Sequence, residues 1–297
     1  QQLVCSPFTP HAPNPAPQML LTRAMLSAQR PKPLITAVAS RGLRTLTFES
    51  GGETLVGSLH EPAGGVAAKS VAIFAHCFTC GKANNAASRI SRTLAANGVA
   101  TLRFDFRGLG DSSGLFGNSN FTSNVEDLKN VAAGLTEQYA PPTVLIGHSL
   151  GGAAVLVAGS QIESVQGVVS LGAPSEPKHL KEMFGDSVPV LEAEGAAEVV
   201  FFGRPFEMRK QFLDDLEAQN QLSRINELNK PLLVCHAPDD EMVPPQAAQI
   251  IYMHAQHPKS FLAIPPGAGH LLTRKKDTTY LGNVISHWLD AYIHDDV

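Results

Sequence analysis

Short, uninterrupted apolar runs recur along this chain, and each is followed by a stretch with helical patterning. Ser70 to His76 (SVAIFAH), Val99 to Phe104, Thr143 to Gly147, Val165 to Leu171 and Leu232 to His236 are such runs. A strand that is apolar on both faces must be covered on both faces, which is the condition of a parallel strand in a sheet flanked by crossover helices. Ala86 to Asn97, Val125 to Gln138, Gly151 to Ser160 and Pro245 to His254 supply those helices. The expected architecture is therefore α/β, a mostly parallel, doubly wound sheet. Arg44 to Glu49 and Thr54 to His60, around Ser50-Gly51-Gly52, predict an antiparallel hairpin at its start. A strand from Ser260 to Ile264 and a helix from about Thr279 to Ile293 close the pattern.

Two regions fall outside this rhythm. Between Ala173 and Lys230 the chain is more charged, and Ala197 to Phe202 with Pro205 to Arg209 reads as a hairpin around Gly203-Arg204. This stretch, about 174–230, is expected to be a small lid inserted in the domain formed by 43–297. Residues 1–42 hold Arg23, Arg30, Lys32 and Arg41 but no acid, with Pro7, Pro10, Pro13, Pro15 and Pro17. That bias resembles a targeting segment, or else a disordered leader or an extension before Met19. A chain of 297 residues with 43% hydrophobic side chains suffices for one full core.

Charge and cysteine content exclude several function classes. With 23 basic against 27 acidic residues, the net charge of −4 gives no footprint for a phosphate backbone, so no nucleic-acid partner is expected. Every apolar run is broken well before the roughly 18 residues a membrane span needs, so no membrane insertion is expected. Cys5, Cys77, Cys80 and Cys235 are too few and scattered for a secreted disulfide framework. The expected compartment is the cytoplasm, with an organelle of mitochondrial type as the alternative raised by the basic N-terminal stretch.

The chemistry concentrates at the ends of the apolar runs, where open α/β sheets bind ligands. Val144-Leu145-Ile146 leads into Gly147-His148-Ser149-Leu150-Gly151 and then a helix, the strand, G-x-S-x-G turn, helix order of a nucleophile elbow. Such a turn forces the serine into a sparsely populated backbone conformation costing about 1–3 kcal/mol, and glycines on either side give it room. The N-terminus of the following helix faces the anion that acyl transfer creates, so Leu150 is the candidate for one oxyanion N–H. A common structural Gly-rich turn is the alternative, and the strand-turn-helix context weighs against it. His148 reads as packing.

A serine hydroxyl needs a base, and the base needs a carboxylate to hold its tautomer. Asp240 lies in Asp239-Asp240-Glu241-Met242-Val243-Pro244 after one predicted strand, and His270 lies in Gly269-His270-Leu271 after the next. Asp239 and Glu241 compete with Asp240, and the D-x-x-V-P pattern favours Asp240. The chain order Ser149, Asp240, His270 differs from those of the two best-known serine protease folds. In the loop after the third strand, His76-Cys77-Phe78-Thr79-Cys80, Phe78 is the candidate for the second oxyanion N–H. Cys77 reads as a structural filler, with a redox or zinc role for C-x-x-C as the alternative. In Arg103-Phe104-Asp105-Phe106-Arg107-Gly108, Asp105 and Arg107 are expected to brace a strand-end turn.

These motifs together make the stretch from about Leu43 to Ile293 resemble the α/β-hydrolase superfamily. More narrowly, A-H-C-F-T-C at Ala75 to Cys80, R-F-D-F-R-G-L-G at Arg103 to Gly110 and G-H-S-L-G-G-A-A at Gly147 to Ala154 resemble the hydrolase half of bacterial proteins fused to an OsmC-like domain. Cys77 departs from the glycine common at its position in such loops. The resemblance implies an α/β-hydrolase fold and transfers the triad and the two oxyanion donors. It implies no peroxide chemistry, because it covers the hydrolase half alone. The expected activity is serine hydrolysis of small soluble carboxylic esters through an acyl-enzyme, with no metal and no cofactor. Amide or carbon-carbon bond hydrolysis or acyl transfer by the same residues is the alternative, and a non-catalytic binding protein on this scaffold is the alternative of another class. The expected partner is the ester itself, and a homo-oligomer is compatible with this reading. Phe184, Phe201, Phe202, Phe206 and Phe212 are expected either to line an apolar pocket or to anchor the lid.

Overall fold

The computed structural model describes residues 43–293. The expectation of a targeting segment or leader at residues 1–42 falls outside them. In chain order the first elements are β1 (Leu43–Ser50), β2 (Glu53–His60), β3 (Ser70–Ala75), α1 (Asn85–Ala96), β4 (Val99–Phe104), α2 (Phe121–Gln138), β5 (Val144–His148), α3 (Leu150–Ala158) and β6 (Gly167–Leu171). After β6 come a 3-10 helix (Pro177–Phe184), α4 (Ser187–Glu194), β7 (Ala196–Phe201), β8 (Arg204–Arg209), α5 (Lys210–Ala218) and α6 (Gln221–Asn226). The chain closes with β9 (Leu232–His236), α7 (Gln246–His254), β10 (Lys259–Ala263) and α8 (Lys275–Tyr292).

Eight strands form one sheet in the order β1-β2-β4-β3-β5-β6-β9-β10. β1 pairs with β2 and β2 with β4 antiparallel, and every later pairing is parallel. This is the α/β-hydrolase fold, a mostly parallel sheet with an antiparallel start and helices on both faces. Alternation along the central strands explains why their sequences are apolar throughout. Val71, Ile73 and Ala75 of β3, Leu145 of β5 and Leu232 and Val234 of β9 face one core, with Leu128 and Val131 of α2 and Val155 of α3. Ala72 and Phe74, Val144 and Ile146, and Leu233 and Cys235 face the other, with Ile90 and Leu94 of α1 and Leu281, Ile285 and Leu289 of α8. Complete burial of each such Leu or Ile contributes about 1.5–3 kcal/mol. A one-residue slip of any strand would exchange these sets but leave both apolar, so the register is fixed by the flanking loops and helices more than by polarity.

The segment between β6 and β9 forms a helical and hairpin insertion with its own two-stranded sheet, β7 and β8. Its hairpin turns at Phe202-Gly203, one residue earlier than the sequence pattern placed it. Phe184, Phe201 and Phe212 are buried in the core shared with Phe78. They anchor the insertion, whereas Phe202 is 56% exposed. Among the described residues no helix is long and apolar enough to cross a membrane.

Candidate active site

The turn from β5 into α3 holds Ser149 at φ 57° and ψ −124°, a conformation that L residues rarely adopt. Two close approaches explain the glycines beside it. A Cβ on Gly147 would lie 2.2 Å from the Gly151 carbonyl oxygen, and one on Gly151 would lie 2.4 Å from the carbonyl oxygen of His76. Elbow and β3 loop are thus in backbone contact, and only glycine fits between them. The Ser149 N–H donates to the Leu171 carbonyl at 2.9 Å, which ties the turn to β6.

His270 lies in the loop that follows β10, and its Nε2 is 2.9 Å from Ser149 Oγ. Its Nδ1 lies 2.8 Å from Asp240 Oδ2. The other carboxylate oxygen of Asp240 accepts from the N–H groups of Met242 (3.0 Å) and Val243 (2.8 Å). Since an ionised carboxylate only accepts, the His270 proton sits on Nδ1 and leaves Nε2 free to take one from the serine. Burial works against the charged form of Asp240, but hydrogen bonds from His236 and His270 outweigh it and hold this carboxyl well below the usual carboxylate range. All three side chains are buried.

Asp239 is excluded by its position, because its Oδ2 accepts from the Gly267 N–H at 2.8 Å. Glu241 is exposed at the rim of the cavity beside Ser149. Asp105 also lies elsewhere: it binds the ammonium of Lys82 at 2.5 Å and accepts from the Asp111 N–H at 2.9 Å. Arg107 pairs with Asp127 at 2.6 Å, so both residues brace the turn after β4 as the sequence suggested.

Three histidines at or just past the ends of the parallel strands β3, β5 and β9 surround this group, and their roles were not legible from the motifs. His148, at the end of β5, donates through Nε2 to the His270 carbonyl at 2.8 Å, so it holds the histidine loop instead of merely filling space. Burial and the nearby His270 lower its pKa to about 3, which keeps it neutral. His236, at the end of β9, lies with Nε2 2.9 Å from the Val243 carbonyl and 3.4 Å from Asp240. His76, just past β3, donates from Nδ1 to the Cys77 carbonyl at 2.8 Å and accepts from the Phe106 N–H at 3.3 Å. Burial lowers its pKa as well. The available signal was positional: each stands where a parallel strand ends.

Phe78, Cys77, Ser149 and His270 line one small void, with Met183, Phe202, Met242 and Leu271. Leu150 begins α3 directly after the serine. The two candidate oxyanion residues are therefore brought to the nucleophile. Cys77 is not a free thiol, as its reading as a filler implied, but is joined to Cys80 in a disulfide with Cα atoms 5.5 Å apart. A turn closed by the Cys80 N–H on the Cys77 carbonyl at 3.2 Å brings the two together. The void opens toward a cavity of about 290 Å³ lined by Leu150, Leu180, Met183, Met242 and Val243. On the other side, beyond Phe202 and Leu271, lies a cleft of about 530 Å³ bordered by Thr79, Cys80, Asn84 and Arg204. Among the described residues no group of three or more His, Cys, Asp or Glu is placed to hold a metal ion.

Residues 72–277 match the model of the alpha/beta hydrolase family. Among solved structures, the esterase domain of a Rhodothermus marinus protein is 38% identical, with a TM-score of 0.69, 85% of this chain covered and 99% of that one. Est1E from Butyrivibrio proteoclasticus, solved with ferulic acid bound, shares the fold at 19% identity and a TM-score of 0.68, over 84% of this chain and 99% of that one. A curated relative, the lysophosphatidylserine lipase ABHD12 of Danio rerio, is 25% identical over 215 residues, 68% of this chain. The chain spans about half, 53%, of that protein's length.

Proposed function

Because the chain belongs to the alpha/beta hydrolase family, we propose that it is a serine hydrolase that cleaves small carboxylic esters through an acyl-enzyme. One observation carries the reading: Ser149 Oγ, His270 and Asp240 are linked at 2.9 and 2.8 Å beside an apolar cavity. Ser149 attacks the acyl carbonyl as His270 Nε2 takes its proton, and the imidazolium that forms is stabilised by Asp240. The developing oxyanion is received by the N–H groups of Phe78 and Leu150, where loss of one such donor typically costs 10²–10³ in kcat. His270 then protonates the leaving alcohol, and the same nitrogen activates the water that releases the acid.

At about 290 Å³ the cavity is at the small end of ligand sites. It suits a short or compact acyl group, and the insertion acts as the lid that shapes it. The esterase label of the Rhodothermus marinus domain supports ester over amide cleavage. The finer kinship with hydrolase domains fused to OsmC-like domains belongs to the same proposal, on the A-H-C-F-T-C and R-F-D-F-R-G-L-G motifs. A panel of p-nitrophenyl esters of graded acyl length tests it. Turnover should be highest for short chains and fall by about six orders of magnitude in Ser149→Ala. Wild-type turnover in that variant, or failure of a fluorophosphonate to label Ser149, would refute the assignment.

A further inference from the structure

The disulfide is placed where opening it has a consequence. Cys77 and Cys80 bracket Phe78 and Thr79, so the bond closes a loop of four residues around a candidate oxyanion donor. Thr79 is held at φ 55°, a conformation a β-branched residue adopts only when its surroundings enforce it. The two sulfurs also face different spaces. Cys77 is 5% exposed and lines the void shared with Ser149. Cys80 is half-buried and borders the open cleft of about 530 Å³. Its Sγ accepts from the side-chain amide of Asn84 at 3.7 Å, and Asn84 caps α1. A thiolate released at Cys80 has a hydrogen-bond donor and a helix N-terminus close by, both of which favour the charged form and so its departure from a mixed disulfide, while its position on the open cleft makes it the sulfur an incoming thiolate reaches first. Cys235 differs: it is fully buried, and burial raises its thiol pKa far above the ordinary value.

We propose that the Cys77–Cys80 bond is a thiol–disulfide exchange site, opened by a dithiol reductant entering the cleft on the Cys80 side, and that opening it frees the loop that holds the Phe78 amide beside Ser149. One thiolate of the dithiol attacks Cys80 Sγ, the Cys77–Cys80 bond breaks, and Cys77 leaves with the electron pair and takes up a proton. The second thiolate of the dithiol then attacks its partner sulfur in the mixed disulfide, releasing Cys80 as a thiol and the reductant as a cyclic disulfide. Two electrons and two protons pass from the dithiol to the protein. The kinetic consequence, though not the exchange itself, rests on the hydrolase reading above.

The test uses the full chain carrying Cys5→Ser, so that residue 5 cannot exchange, with dithiothreitol and its oxidised form at graded ratios. Alkylation with iodoacetamide and peptide mass mapping scores each cysteine, and kcat and KM are measured on p-nitrophenyl acetate in parallel. Cys77 and Cys80 should pass together and reversibly from blocked to alkylated while Cys235 stays protected. Over the same range kcat should fall about tenfold, a partial loss of a donor whose removal costs 10²–10³, with KM within about twofold. Cys80→Ser should rest at the lower kcat and ignore dithiothreitol. Three results overturn the proposal: a pair that stays blocked in the folded protein, thiols that are already free without reductant, or complete reduction with kcat unchanged. Reversible exchange with no turnover in either state would refute the hydrolase reading and leave the exchange site standing.

Discussion

Asp240→Asn tests the assignment of the acid through its hydrogen bonds. The Asp240 carboxylate accepts on both oxygens, from Met242 and Val243 N–H at 3.0 and 2.8 Å on Oδ1 and from His270 Nδ1 at 2.8 Å on Oδ2. Asparagine has one acceptor oxygen. Turning it toward His270 would strand two backbone N–H groups, at about 1–3 kcal/mol each, so the oxygen stays with the backbone and the amide NH₂ faces Nδ1. His270 must then offer a lone pair at Nδ1 and carry its proton on Nε2, facing Ser149. A base protonated at its accepting nitrogen cannot take the serine proton, and a wrong tautomer in such a triad costs about 10⁴ in kcat, roughly 5.4 kcal/mol. The assay is kcat and KM on p-nitrophenyl acetate with circular dichroism to verify folding. KM should change little, and Asp239→Asn should remain within about threefold of wild type, because Asp239 contacts Gly267 and not His270. A folded Asp240→Asn variant that keeps more than a tenth of wild-type kcat would refute the tautomer argument, and a large loss at Asp239 instead would move the acid by one residue.

Gly151→Ala places a methyl group 2.4 Å from the His76 carbonyl oxygen, a backbone atom that cannot turn aside, so a loss of roughly 3 kcal/mol is expected in urea unfolding, together with lost turnover. Phe212→Ala empties a site 1% exposed beneath the insertion and should cost about 3–5 kcal/mol in the same measurement. His148 is kept neutral with a folded pKa of about 3. Between that value and an unfolded pKa of about 6.5 the unfolded chain binds the extra proton, so stability must fall as pH drops below the unfolded value. At pH 5 this amounts to about 2 kcal/mol, and His148→Gln, which keeps a donor toward the His270 carbonyl, should flatten the urea midpoint between pH 7 and 5 by about that much. His60, lowered to about 4 by burial and Arg103, acts in the same direction and should remain in the variant.

Much of the fold was legible because buried parallel strands announce themselves as apolar runs, and every such run from Ser70 to Leu232 became a strand. The ends of elements were less legible. α2 begins at Phe121, four residues before its periodicity starts, because Asn120 and Ser123 cap each other reciprocally. α8 begins at Lys275 and not near Thr279, with Arg274 paired to Asp277 through the first turn. Ser149, Asp240 and His270 could be singled out because each lies in a loop or turn that follows a strand, in a motif that chemistry restricts, and the fold brings the three side chains together. The supporting roles of His76, His148 and His236 were not, since their partners are carbonyls and a carboxylate brought near only by the folded sheet. The disulfide was hidden for a similar reason: C-x-x-C spacing permits a turn that joins the sulfurs but does not require it.

The ring of Phe78 packs against Phe201 at 4.9 Å, Phe212 at 5.5 Å, Phe116 at 5.7 Å and Phe184 at 6.3 Å, three of them in the insertion. The same residue lines the small void shared with Ser149 and His270. The shape of the pocket and the setting of the loop beside Ser149 are consequently tied at a single residue: an insertion borrowed from a relative to reshape the pocket would tilt this ring and, with it, the backbone that borders the void. Anyone redesigning the cavity has to transplant the aromatic neighbours as a set or accept a slower catalyst.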